Sequence, residues 1–283
     1  SLFRLPPRSS PFPYPTLVRA MDIHGSKGIC LVPTNYLGPA YQGVPISITV
    51  EGANILTRNM MIFGQGAMRC HPYVLKELYA AQIEDKQEQL EAFDDAVFGH
   101  IGFAVSNTIR SIWFTLTRNW FSSAPFKDET ARYYRSLQGY SSNLAMLTDV
   151  SMGVLGGSLK RRERLSARLG DILSYLYLAS ATLKRYDEQG RNKEDLPFLN
   201  WAMQDCLHKM DIAIDDFIRN FPSTPVAVYL RLVVQPYGKI NDKPSDTTEH
   251  AIAHILQNNN TARERLGHGQ DFARKEGSLF GDL

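Results

Sequence analysis

The sequence predicts an all-α chain, a helical bundle, on three observations. Apolar residues recur at spacings of three, four and seven through long segments, the signature of one buried helical face. β-Hairpin signals are almost absent, and no repeat period is apparent. The 283 residues are 43% hydrophobic and 21% charged, enough to bury a sizeable core in one large domain or two.

Residues 1–16, "SLFRLPPRSSPFPYPT", hold five prolines. Proline removes backbone donors and blocks helix interiors, so this stretch is expected to be an irregular tail. A polyproline ligand for a partner is one reading of it, a terminal remnant the other. From Leu17, "LVRAMDIHGSKG" predicts a short helix ending in a glycine turn. "NYLGPAYQGVP" reads as loop and "VPISITV" as a short extended piece. A helix is expected after Glu51-Gly52, with Ile55, Leu56, Met60 and Phe63 at near-helical spacing. "GQG" and "HP" interrupt it before "YVLKELYAAQIED" resumes helical character.

Beyond residue 85 the text reads as helix after helix. "EQLEAFDDAVFGHIGFAVSNTIRSIWFTLT" sets Phe103, Ile109, Trp113 and Leu116 among small residues, which suits close helix packing. "RRERLSARLGDILSYLYLASATLKRY" aligns Leu165, Leu169, Ile172, Leu173, Leu176 and Leu183 in one stripe. "LPFLNWAMQDCLHKMDIAIDDFIRNFP" adds another helix, with proline near its start and end. "GKINDKPSDTTE" reads as a polar linker before a final helix, "HAIAHILQN".

The net charge of +2 gives no general case for nucleic acid or membrane binding. Cys30, Cys70 and Cys206 are far apart and odd in number, and no CxxC or Cys/His pattern points to zinc. Reduced thiols in a cytoplasmic protein are the expectation. No signal-peptide pattern is visible, and the charge-free stretch Ala96–Ile109 falls short of the roughly 20 apolar residues a membrane span takes.

Four groups of residues invite a chemical reading. Glu51 stands alone in an uncharged run, with Ile46, Ile48, Val50, Ile55 and Leu56 close in sequence. Such surroundings raise the basicity of a carboxylate, as proton abstraction requires, although a glutamate in a first helical turn also simply complements the dipole. Gly52 beside it would let a substrate or cofactor approach the backbone. "IHGSKG" holds Gly25, Ser26 and Gly28 with Lys27, a turn able to offer backbone N–H groups to phosphate, or merely to end a helix. "KRRERLSAR" supplies Lys160, Arg161, Arg162, Arg164 and Arg168, either a solvated face or a contact for an anionic surface. His250 and His254 sit four apart but lack a third ligand, so no metal is expected, and His71-Pro72 reads as a helix break.

Longer stretches add to this. "AMDIHGSKGI", "YQGVPISITVEGANILTR" and "IFGQGAMRCHPYV" resemble the carboxyl-terminal part of acyl-CoA dehydrogenases. They are most similar to the bacterial long-chain type, which carries an additional carboxyl-terminal region. "DVSMGVLGGSLKRRERLSARLGDILSYLYLASATLKRY" resembles that region too, so the likeness runs from about residue 17 to the end. It implies that residues 17–85 are the end of the catalytic helical domain and 86–283 the helical extension.

The family's catalytic glutamate lies in an apolar-or-aromatic–Glu–Gly segment, which Val50-Glu51-Gly52 matches. The resemblance implies that Glu51 removes the α-proton of a fatty acyl-CoA while the β-hydrogen leaves as hydride to FAD, giving a trans-2-enoyl-CoA. It implies that the backbone N–H of this glutamate holds the thioester carbonyl. Gly25, Ser26 and Gly28 match a glycine-rich turn that contacts FAD across a subunit interface. Ser26 replaces a glycine of that pattern, Asp22 a glutamine, and Ala53 a threonine. The amino-terminal helical and middle β-domains of the family have no counterpart here, so the chain is expected to be a carboxyl-terminal portion. Implied partners are fatty acyl-CoA, an electron-transferring flavoprotein and a second copy in a homodimer or other homo-oligomer, without nucleic acid. The implied location is cytoplasmic, with peripheral contact to the inner membrane through "KRRERLSAR". Two alternatives stay open: a non-catalytic helical oligomerisation or peripheral-membrane module, and an acyl-CoA oxidase sharing the glutamate.

Overall fold

The structure, a computed structural model, describes residues 13–30, 35, 37–43, 46, 66–258 and 261–267. Among the described residues there are helices and turns and no strand, so the all-α expectation holds. The chain divides into two compact units, residues 1–57 with 269–283, and residues 58–268.

In the first unit α1 spans Pro13–His24, α2 Ser26–Ile29 and α3 Leu37–Gly43. Helix α1 begins four residues before the expected Leu17. Pro13 and Pro15 occupy its first turn, where N–H groups have no intrahelical acceptor, so the prolines forfeit nothing. Residues 37–43, read as loop, are helical because Asn35 caps them: its Oδ1 accepts from Leu37 N (3.0 Å) and Gly38 N (2.8 Å). The extended piece read in "VPISITV" and the helix expected after Gly52 lie, Ile46 apart, outside the described residues.

The second unit begins with α4 (Gly66–Cys70), α5 (Val74–Ala80) and the long α6 (Lys86–Leu116). Its core comes from α7 (Ala131–Leu155), α8 (Glu163–Glu188), α9 (Leu196–Arg219) and α10 (Thr224–Val234). A 3-10 turn over Gly156–Arg161 joins α7 to α8. Helices α11 (Asp246–Gln257) and α12 (Thr261–Gly267) follow. The predicted stripe on α8 holds: Leu165, Leu169, Ile172 and Leu183 are buried, against Met203, Met210 and Phe217 of α9 among others. Arg191 closes the turn after α8, bonding Asp128 Oδ2 (2.5 Å) and lying over the Phe126 ring, which ties that turn to the α6–α7 connection.

Helix α6 departs from the expectation. Ile109, Trp113 and Leu116 are exposed, and its buried residues are Ala96, Asn107 and Ser111. The inner face carries small or polar side chains, and the bulky ones point outward. No helix among the described residues is long and apolar enough to cross a membrane.

The segment read as a polar linker is also more ordered than expected. Ser245 caps α11 by accepting from Thr248 N (3.3 Å), so "DTTE" forms the first turn of that helix. Upstream, Ile240 N and Asn241 N each donate to Asp211 Oδ2 at 2.9 Å, pinning the connection to α9.

Candidate functional site

Of the residues singled out from sequence, Glu51 and Gly52 lie outside the described residues. Gly25, Ser26 and Gly28 form the α1–α2 turn in the first unit. Gly25 has φ +56°, where only glycine is unstrained, and Gly25 and Ser26 are exposed. The N–H of Gly25 donates to Met21 O (2.9 Å) and that of Gly28 to Gly25 O (2.9 Å), so both donors are used within the turn. A Cβ at Gly28 would come within 2.9 Å of Met21 O, so glycine there serves the close approach of α2 to α1. Space is open at Gly25, and Ser26 is exposed beside it.

The second unit brings together a group that no local spacing announces: His71, Glu77, His100 and Asp149. His71 sits in the break between α4 and α5, as its proline neighbour suggested. Its Nδ1 accepts from Tyr73 N and Val74 N, each at 3.2 Å, so the imidazole caps α5 and carries its ring proton on Nε2. That Nε2–H donates to Asp149 Oδ1 on α7 at 2.9 Å. His100, on α6, places Nδ1 2.6 Å from Glu77 Oε1 on α5 and Nε2 3.9 Å from Asp149 Oδ1. The His71 and Asp149 side chains are 6% and 8% exposed, those of His100 and Glu77 each 23%.

Aromatic rings hold the two imidazoles. Phe103 meets the His71 ring edge-on at 5.3 Å, and Tyr73 lies parallel to His100 at 6.1 Å. A Cβ at Gly99 would be 2.4 Å from the Tyr73 ring, so the ring's position depends on the missing side chain. Burial, opposed by the two histidines, holds the Asp149 carboxyl above the usual range. Its Oδ2 is buried without a hydrogen-bond partner. Chemically, the arrangement is two imidazoles and a carboxylate converging on one point, with a second carboxylate behind His100.

A cavity of about 100 Å³ in the same unit is lined by Tyr140, Asn143, Asp211 and Asn241 among others. The Tyr140 hydroxyl donates to Asp211 Oδ1 (2.5 Å) and accepts from Asn241 Nδ2 (2.7 Å). Burial, then the charge and hydrogen bond of Asp211, hold the Tyr140 phenol well above its ordinary range, so it stays a donor at any working pH. A more open groove of about 540 Å³ runs past Phe126, Tyr134, Leu137 and Leu176. Neither contains a residue singled out from the sequence as a catalytic, cofactor or metal candidate.

The other sequence candidates stay apart from these features. Lys160, Arg161, Arg162 and Arg164 are exposed and Arg168 is half-buried. His250 and His254 are exposed on α11. Sequence reading missed His100 and Asp149, which lie 29 and 78 residues from His71. Only the fold makes them neighbours.

No solved structure matches the chain. Residues 68–283 match the family described as acyl-CoA dehydrogenase, C-terminal, bacterial type. Covering most of the sequence with the all-α architecture above, that match shows that the chain belongs to the bacterial-type acyl-CoA dehydrogenase C-terminal family.

Proposed function

We propose that this chain serves FAD-dependent α,β-dehydrogenation of fatty acyl-CoA in fatty acid β-oxidation, with Glu51 as the base. The observation that carries the reading is the family match over residues 68–283, with the Val50-Glu51-Gly52 segment upstream of it in the same chain. The Glu51 carboxylate takes the α-proton of the acyl thioester. Its own backbone N–H polarises the thioester carbonyl and so acidifies that carbon, and Gly52 leaves room for the substrate to reach the backbone. FAD, when bound, would supply the acceptor for the β-hydrogen leaving as hydride, so that the product would be a trans-2-enoyl-CoA. At the Gly25–Gly28 turn the Ser26 hydroxyl is the proposed contact with the cofactor, because the N–H groups of Gly25 and Gly28 are engaged. An electron-transferring flavoprotein is the proposed acceptor, residues 17–85 the proposed remnant of the catalytic helical domain, and 86–283 the extension.

The test is Glu51→Gln in a polypeptide that also carries the amino-terminal helical and β-domains expected from the resemblance. Enoyl-CoA formation is expected to fall by about 10²–10⁴-fold with flavin retained. Unchanged turnover would remove Glu51 from the role.

Self-association is supported by a separate observation, the exposed face of α6. Phe98 is 71% and Ile109 61% exposed, and Ile101, Val105 and Leu116 are exposed with them. Apolar residues in a continuous run mark contact surfaces more often than scattered ones do. The proposed occupant is a second copy of this chain, as the family resemblance implies. Sedimentation of the wild type as a dimer, and of Ile101→Glu/Ile109→Glu as a monomer, is the expected outcome. A monomeric wild type, or a double variant that stays dimeric, would contradict it.

A further inference from the structure

We propose that His71, His100 and Asp149 form a binding site for one zinc ion that clamps the α4–α5 turn to α6 and α7. The proposal is independent of the dehydrogenase reading. It stands on the positions of the donors, on the shell behind them and on an unmet acceptor.

One ligand atom from each of the three residues lies within 4.8 Å of the others. The His71 Nε2–Asp149 Oδ1 separation is 2.9 Å and the His100 Nε2–Asp149 Oδ1 separation 3.9 Å. These bracket the ~3.3–3.5 Å between neighbouring donors of a tetrahedral zinc with ligand bonds near 2.0–2.1 Å. Two imidazoles and a carboxylate form a ligand set suited to zinc, leaving the fourth position for water.

The shell behind the donors matches what a metal site requires. Glu77 Oε1 lies 2.6 Å from His100 Nδ1, so that nitrogen donates to a carboxylate and the Nε2 lone pair is aimed inward. Phe103 and Tyr73 restrict the rings, and the His71 and His100 ring centroids are 4.5 Å apart. Asp149 then presents a carboxylate whose Oδ2 has no donor, although the side chain is more than nine-tenths buried. A buried carboxylate oxygen without a partner is costly, and a cation bound through the neighbouring Oδ1 would offset the charge of the same carboxylate.

Zinc asks for one rearrangement. His71 holds its ring proton on Nε2, and coordination there moves that proton to Nδ1. Three hydrogen bonds are then lost: those from the Tyr73 and Val74 N–H groups, both already at 3.2 Å, the long end for N–H donors, and that from Nε2–H to Asp149 Oδ1. Three ligand bonds replace them. His250 and His254 on α11 are the competing histidine pair, exposed and without a third ligand among the described residues.

The full chain, stripped with chelator, is titrated with Zn²⁺ by calorimetry and with Co²⁺ by visible absorption. One ion per chain is expected, with the intense bands of four-coordinate Co²⁺ and a higher melting temperature with metal. Asp149→Asn and His100→Gln are expected to abolish saturable binding, and Glu77→Gln to weaken it about 10–100-fold as a supporting shell does. His250→Ala/His254→Ala is expected to leave it intact. Absence of saturable binding in the wild type would overturn the proposal without reference to any variant, and would leave the cluster a protein-only ion-pair network. Loss of binding only in the α11 double variant would overturn it by placing the ion elsewhere.

Discussion

Cys206 shows how far a single residue's surroundings can be read. It lies in the interior of α9, and burial pushes its thiol up to about 11 from an ordinary 9.0. Cys30 and Cys70 are exposed. Two thiols are therefore expected to react quickly with a disulfide reagent at pH 8 and the third only on unfolding. Three fast thiols would show that the core opens. The same burial makes stability depend on pH. The neutral thiol is favoured in the folded chain, so its contribution is fully present below pH 9 and is lost as the pH rises through 11. By then the loss is about 2–3 kcal/mol, read as the difference between wild type and Cys206→Ala in denaturant melts across that range. Parallel curves would contradict it. The sequence suggested free thiols here but not which of them is buried, since that depends on the facing helices. Gly28 is similar: its turn was legible, whereas its approach to Met21 O was not.

At the scale of elements, capping and periodicity carried most of the information. Asp85 starts α6 by accepting from Gln87 N (3.0 Å) and Glu88 N (2.9 Å) through one carboxylate oxygen. Asp85→Ala is expected to destabilise the chain by about 1 kcal/mol, and Asp85→Asn by less, as measured by urea denaturation. Equal effects of the two would show that the cap is not what matters. Helix α8 was legible because its apolar stripe and its buried face coincide. Helix α6 was legible as a helix, but its buried face was not, because pattern reading equates bulk with burial, and here Ala96, Asn107 and Ser111 face inward. The start of α11 was misplaced for a related reason: Ser245 and its "DTTE" turn are polar, as a capped first turn usually is.

Across the whole molecule, long-range contacts were the illegible part. Asp211 gathers Tyr140, Ile240 and Asn241 from far along the chain, which turns an apparent linker into an anchored segment. His71, His100 and Asp149 meet only because α6 and α7 fold back beside α5. Family membership, by contrast, was legible in contiguous stretches, and the match over residues 68–283 agrees with it. The catalytic reading rests on Glu51, and one measurement reaches it directly. Flavin absorbance is followed anaerobically after adding palmitoyl-CoA to the flavin-loaded protein carrying its amino-terminal domains, wild type beside Glu51→Gln. Bleaching in the wild type, with a variant that binds flavin but stays oxidised, is the predicted result. Equal bleaching of the two would contradict the assignment of Glu51 as the base.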